Sequence, residues 1–171
     1  MSLFHPTILK NRITELTAEE LRAMSVKALL LDVDNTLTKH HSQELPDDVA
    51  AWLEEMRAAG IGLMLVSNSK EPRVKPFAQR IGLAYVHTSC KPIPFGFRRA
   101  SKALGIPLAQ CMAIGDQTFT DVLGAKLAGM RVTQLIPIEP ESGWTFRVKR
   151  RLERPILASY RRKQEKKENK R

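Results

Sequence analysis

Apolar positions along the chain fall into two kinds of cluster that take turns. Short, nearly unbroken runs such as Lys27 to Asp32 (KALLLD) and Ile61 to Val66 (IGLMLV) have strand length and lack alternation, as strands buried on both faces of a parallel sheet require. Between them the spacing changes to a helical one: Val49, Trp52, Leu53 and Met56 recur at i, i+3, i+4 and i+7, with Pro46 near the start and Gly60 just past the end. The pattern then predicts a helix near Glu71 to Arg80, a strand at Leu83 to Val86, a helix near Phe95 to Leu104, a strand at Cys111 to Ile114, a helix near Asp121 to Ala128 and a strand at Val132 to Ile136. Residues up to about 24 read as a lead-in, with Thr17 and Glu20 forming a Thr-x-x-Glu capping box for a short helix through Leu21 and Met24. The predicted fold class is α/β: one doubly wound, Rossmann-like, mostly parallel sheet with helices on both faces.

In such sheets the ligand crevice lies at the carboxyl ends of the strands, where the strand order reverses. The polar residues found there are Asp32, Asp34 and Thr36 (DVDNTL), Ser67 and Asn68 (VSNS), Lys91 (CKP), and Asp116 and Asp121 (GDQTFTD). Carboxylates gathered in one crevice repel one another and lose solvation, so a hard divalent cation is expected among them, and Mg²⁺ suits few protein carboxylates with room left for phosphate oxygens. Lys91, Ser67 and backbone N–H groups beside that cation would hold a dianionic phosphate, which points to phosphoryl transfer. A calcium loop is excluded, because Leu37 and Gln43 stand where its glycine and terminal glutamate belong.

Composition narrows the setting. The chain has 171 residues, 43% of them apolar, which suits one ordinary domain. No stretch approaches the roughly 18 apolar residues of a membrane span, and the first 20 residues resemble neither a signal nor a transit peptide. Cys90 and Cys111 have no metal or redox spacing and read as reduced packing residues. A cytoplasmic protein is expected, soluble or peripheral on the inner face of the membrane. The net charge of +10 is unevenly spread: residues 147–171 hold 12 basic and 3 acidic residues, and the preceding part is nearly balanced.

The four motifs, in order over residues 32–121, resemble those of the haloacid dehalogenase superfamily: DxDx[T/V] at Asp32 to Thr36, a Ser at Ser67, a Lys at Lys91 and GDxxxxD from Gly115 and Asp116 to Asp121. The segments SNSKEPRVKPFAQRIGLAYV, KPIPFGFRRA, GDQTFTDVLGAKLAGM and WTFRVKRRLERPIL are similar to the small class III, YqeG-type branch, akin to phosphatidylglycerophosphate phosphatases. The resemblance implies that Asp32 is the nucleophile that forms an aspartyl-phosphate and that Asp34 is the general acid and base. It further implies that Lys91 neutralises nucleophile and phosphate, that Ser67 and the Asn68 backbone bind phosphate, and that Thr36 supports the turn. Asp32, Asp116, Asp121 and the Asp34 carbonyl would hold Mg²⁺.

Cap domains in this superfamily are inserted between the first and second or the second and third motifs. Only 32 residues separate Asp34 from Ser67 and 22 separate Asn68 from Lys91, and the predicted elements use them up. The expected site is capless and open, suited to a phosphate on a lipid headgroup or macromolecule. The expected division is a phosphatase domain over 1–143 and a basic helical extension with a disordered end over 144–171. In that extension Trp144, Val148, Leu152, Ile156 and Tyr160 form a helical row that Pro155 is expected to split into two helices. The row either packs on the domain or holds an anionic membrane; contact with RNA or the ribosome is the alternative. His40 and His41 follow the loop of Asp32 and Asp34 closely enough to touch a substrate but are expected to be exposed, and His87, which ends a strand beside the crevice, is open to either role, with a structural one expected.

Overall fold

The computed structural model describes residues 2–140 and 143–169, apart from the side chains of 145, 146 and 168. Six parallel strands form one sheet in the order β1-β6-β5-β2-β3-β4: β1 is Ile8–Lys10, β2 Ala28–Leu31, β3 Gly62–Val66, β4 Ala84–Val86, β5 Cys111–Gly115 and β6 Arg131–Leu135. The chain runs outward from β2 through β3 to β4, then returns to the other side of β2 as β5 and β6, so the order reverses between β2 and β5. A crevice opens at such a reversal because the flanking connections leave in opposite directions.

The unbroken apolar runs are explained by burial on both faces. On one face Leu29, Leu31, Leu63, Leu65, Met112 and Ile114 pack against α1 (Ala18–Ala23), α2 (Asp47–Ala58) and α3 (Glu71–Arg80). On the other, Ala28, Leu30, Met64, Val66, Ala113 and Val132 pack against α4 (Phe95–Leu104) and α5 (Leu123–Leu127). The predicted capping box is formed: Thr17 accepts from the Glu20 N–H at 3.2 Å while Glu20 accepts from the Thr17 N–H at 3.1 Å. The residues between the motifs are consumed by a loop, α2 and β3 in one interval and by α3 and β4 in the other.

Four expectations are corrected. The lead-in contains a strand: Ile8 to Lys10 pairs in parallel with Thr133 to Leu135 and extends the sheet by one edge. The helix expected near Asp121 begins as a π-helical turn over Thr118–Val122 before α5. The final helix, α6 (Trp144–Glu168), continues through Pro155 without a break. Proline at that position costs one backbone hydrogen bond, but it lies on the exposed side of the helix. Anchors on both sides offset the loss, with Arg150 and Glu153 on the domain before it and the Tyr160 hydroxyl donating to the Thr7 carbonyl at 3.2 Å after it. The Lys/Glu run expected to be disordered is helical as far as Glu168, and 170–171 lie outside the described residues.

The apolar row of α6 also behaves differently from a packed one. Tyr160 is buried, but Trp144 is 73% exposed and Leu152 55% exposed. The helix docks through Arg150, Glu153 and Tyr160 and leaves its first apolar residues in solvent.

Candidate active site

The loop after β2 turns sharply because the Thr36 and Leu37 N–H groups both return to the Val33 carbonyl, at 3.3 and 3.0 Å, and the Asn35 N–H to the Thr38 carbonyl at 2.8 Å. Asn35 takes a left-handed conformation with φ 58°, which asparagine tolerates better than most residues. Thr36 is buried and contributes to the turn through its backbone; its hydroxyl has no partner among the described residues. The turn leaves Asp32 and Asp34 at the wall of an open pocket of about 260 Å³, whose lining also includes Ser67, Asn68, Lys91 and Asp121.

Lys91 is the hub. Its ammonium donates to Asp32 Oδ1 at 2.7 Å, to Asp121 Oδ1 at 2.6 Å and to the Val66 carbonyl at 2.9 Å, so all three of its protons are used. Burial alone would lower its pKa, but the charges of Asp121 and Asp32 raise it above the ordinary lysine range. Burial pushes the Asp32 carboxyl up to about 7; Lys91 opposes the rise, and the charges of Asp121 and Asp34 add to it. Ser67 is buried at the end of β3, where its hydroxyl accepts the Ser69 N–H at 3.1 Å. The Asn68 side chain clamps the backbone of Lys91 from both sides, donating to its carbonyl at 3.0 Å and accepting its N–H at 2.8 Å.

Asp32, Asp116 and Asp121 each offer an oxygen, and these three atoms lie within 4.8 Å of one another. Asp116 is fully buried, and its Oδ1 has no hydrogen-bond partner among the described residues. An orphaned buried carboxylate oxygen facing two other carboxylates is costly, and it fits a divalent cation. Burial pushes the Asp116 carboxyl well above the usual carboxylate range, against the pull of Arg150.

Gly115 explains why the fourth motif begins with glycine: a Cβ there would overlap the Asp121 carboxyl group. The wide π turn carries Asp121 back over that glycine, a device that recurs at functional sites. Gly115→Ala is therefore expected to lower stability by about 1–3 kcal/mol through overpacking and to displace Asp121. Chemical denaturation followed by circular dichroism measures the first effect, and a weaker rise in Tm on adding a divalent cation the second.

Six of the eight sequence-predicted residues thus line one pocket, Asp116 is buried beside Asp32 and Asp121, and Thr36 is buried in the turn after Asp34. Several further residues join them. Arg73 of α3 pairs with Asp34 Oδ1 at 2.7 Å, and the His41 N–H donates to the same carboxylate oxygen at 2.8 Å. His40, expected to be exposed, is half-buried and lines the pocket with Gln117, Thr120 and Lys149, while His41 is exposed. His87 lies beside Glu71 and Thr88 instead. Arg150 donates to the Asp116 carbonyl at 2.9 Å and pairs with Asp116 Oδ2. None of the arginines belongs to a motif; the only signal for Arg73 was a basic residue one helical turn inside a helix that starts at the crevice.

Comparison with known proteins matches this geometry. Residues 41–129 match the family of haloacid dehalogenase-like hydrolases, and residues 1–76 match a family described as mitochondrial PGP phosphatase. The chain is 34% identical over 160 residues to the probable phosphatase YqeG of Bacillus subtilis, covering 94% of this chain and 93% of that protein. Among solved structures, an uncharacterised protein from Listeria monocytogenes shares the fold with a TM-score of 0.57 at 17% identity, over 69% of this chain and 85% of that one. A haloacid dehalogenase family hydrolase from Deinococcus radiodurans, with bound phosphate and sodium, has a TM-score of 0.53 at 18% identity, over 70% of this chain and 86% of its own. With the fold, the acidic cluster and a relative similar along nearly its whole length, the chain belongs to the haloacid dehalogenase-like hydrolases and is a phosphatase of that family.

Proposed function

We propose that this phosphatase hydrolyses a phosphate monoester with Mg²⁺ through an aspartyl-phosphate on Asp32, and that its substrate is phosphatidylglycerophosphate at an anionic membrane surface. The observation that carries the chemistry is the bridge Asp32–Lys91–Asp121 beside the orphaned oxygen of Asp116, at the floor of an uncapped pocket.

Asp32, Asp116, Asp121 and the Asp34 carbonyl are the residues that would hold the cation. Bound there, Mg²⁺ supplies electrostatic stabilisation of the phosphoryl oxygens. A carboxylate oxygen of Asp32 attacks phosphorus and the ester oxygen leaves with a proton from Asp34; Asp34 then takes a proton from the water that hydrolyses the acyl phosphate. Lys91 holds Asp32 in place and offsets the charge of the incoming phosphate, while Ser67 and the Asn68 backbone receive its oxygens. Arg73 and the His41 N–H anchor the Asp34 carboxylate at the pocket wall.

The substrate reading rests on three supports. Among the described residues no cap encloses the pocket, the residues 1–76 match lies with PGP phosphatases, and α6 carries an amphipathic surface at the pocket mouth. Lys149 of α6 lines the pocket, and the exposed Trp144, Val148 and Leu152 share the outer side of the helix with exposed Arg147, Arg151 and Arg154. Ile93 and Phe95, 62% and 52% exposed, follow Lys91 in sequence. An apolar stripe edged by arginines suits the interface of anionic lipid. On this reading residues 1–143 act as the phosphatase domain and 144–171 as its membrane-facing extension, working at the cytoplasmic face. No helix among the described residues is long and apolar enough to cross a membrane.

The test is Mg²⁺-dependent phosphate release from phosphatidylglycerophosphate in anionic vesicles, set against soluble monoesters. Turnover of the lipid no faster than of generic monoesters sinks the substrate reading and keeps the chemistry. In parallel, the triple variant Trp144→Ser, Val148→Ser, Leu152→Ser is expected to lose roughly tenfold or more in vesicle cosedimentation, with hydrolysis of soluble monoesters unchanged. Stronger retention on RNA than on vesicles at matched salt would instead assign the basic extension to nucleic acid.

A further inference from the structure

Two residues of α6, a helix outside all four motifs, reach the floor of the site. Arg150 donates to the Asp116 carbonyl at 2.9 Å, pairs with Asp116 Oδ2, and donates to Glu153 Oε2 at 2.9 Å. Glu153, only 3% exposed, accepts the Thr118 N–H on its other oxygen at 2.7 Å. Gln134 of β6 completes the support, donating to the Asp116 carbonyl at 3.3 Å and to the Thr118 hydroxyl at 2.9 Å. The loop from Asp116 to Thr118 is thus held by ionic contacts from the far end of the chain.

The charges around that loop can be balanced. Among the described residues, the carboxylates in and directly behind the site are Asp32, Asp116, Asp121 and Glu153, and the cations paired with them are Lys91 and Arg150. Asp34, at the pocket wall, is matched by Arg73. Lys149 adds a further cation at the pocket wall, and Arg150 is the cation that sits directly on Asp116. Arg150 occupies one oxygen of Asp116 and leaves the other bare.

We infer that Arg150 is a resident counter-cation of the metal site: paired with Glu153, it neutralises Asp116 and steadies the Asp116 loop when no metal is bound, and its positive charge holds down the site's affinity for Mg²⁺. Arg150 and Glu153 are positioning residues, acting through Asp116 and Thr118 rather than on substrate. The inference rests on the divalent-cation reading of Asp32, Asp116 and Asp121.

Two single variants of the full chain separate charge from structure. Arg150→Met removes the positive charge beside Asp116; Glu153→Gln removes a negative one beside Arg150. Both lose a buried ionic contact, so both are expected to lower the Tm of the metal-free protein. Their effects on Mg²⁺ binding, measured by calorimetry and by the rise of Tm with added Mg²⁺, should be opposite: roughly tenfold tighter binding in Arg150→Met and roughly tenfold weaker in Glu153→Gln. Arg150→Lys, which keeps the charge but not the fork, should bind Mg²⁺ within about threefold of the wild type. Lower Tm in both variants with unchanged Mg²⁺ affinity, or affinity shifts of the same sign, would overturn the inference. Absence of Mg²⁺ binding by the wild type would instead overturn the cation reading on which it rests.

Discussion

Asp32→Asn is expected to cut phosphate release by roughly 10⁴-fold or more on any substrate the wild type accepts, the scale seen when a nucleophile is removed from a concerted catalytic set. The amide has nearly the shape of the carboxylate but cannot attack phosphorus, so KM should change far less than kcat. The fold should survive: removing one of the two carboxylates on Lys91 leaves its ammonium paired with Asp121 and with the Val66 carbonyl. Single-turnover phosphate release and a circular dichroism melt on the same preparation make the check. Residual activity within about tenfold of wild type would remove Asp32 from the nucleophile's role.

Lys91→Met carries the second large effect, and its signature is different. The variant strands Asp32 and Asp121 in a buried site without their shared cation, a change that costs about 3–5 kcal/mol when one partner of a buried pair is lost. The metal-free protein should therefore melt well below wild type, and Mg²⁺ should recover part of the loss by taking over the neutralisation. Activity is expected to fall by about 10²–10³-fold, as for the loss of one preorganised electrostatic contact, and Mg²⁺ should not restore it. Recovery of both stability and turnover with Mg²⁺ would make Lys91 a structural counter-ion only.

How much of this was legible in the sequence depended on whether a residue's environment was local. The central strands announced themselves because Leu29 to Leu31 and Leu63 to Val66 are buried on both faces, and burial on both faces forces an unbroken apolar run. Strand β1 escaped because three residues at an edge, all half-buried, carry no such run; only their pairing with β6 makes them a strand. The motif carboxylates and Lys91 could be found because their spacing is set by the strand–loop units that present them. Arg73, Arg150 and Glu153 could not, since each sits in a charged stretch that reads as solvated surface and reaches a partner far away in sequence, and Lys149 lies in the same charged stretch. Pro155 misled for the same reason: the local rule breaks the helix, and the distant anchors at Asp116 and Thr7 outweigh it.

The way β1 and α6 close the molecule also bears on how it is made. Strand β1 is synthesised first but has no partner until β6 has been translated, and the Thr7 carbonyl waits for Tyr160. Asp116 likewise waits for Arg150. Contacts of such sequence separation form late and slowly, so a nascent chain that has passed Asp121 can assemble β2 to β5 but still lacks one sheet edge and the brace behind its acidic cluster. Phosphatase competence should therefore arrive abruptly, as α6 emerges from the ribosome, rather than grow with chain length.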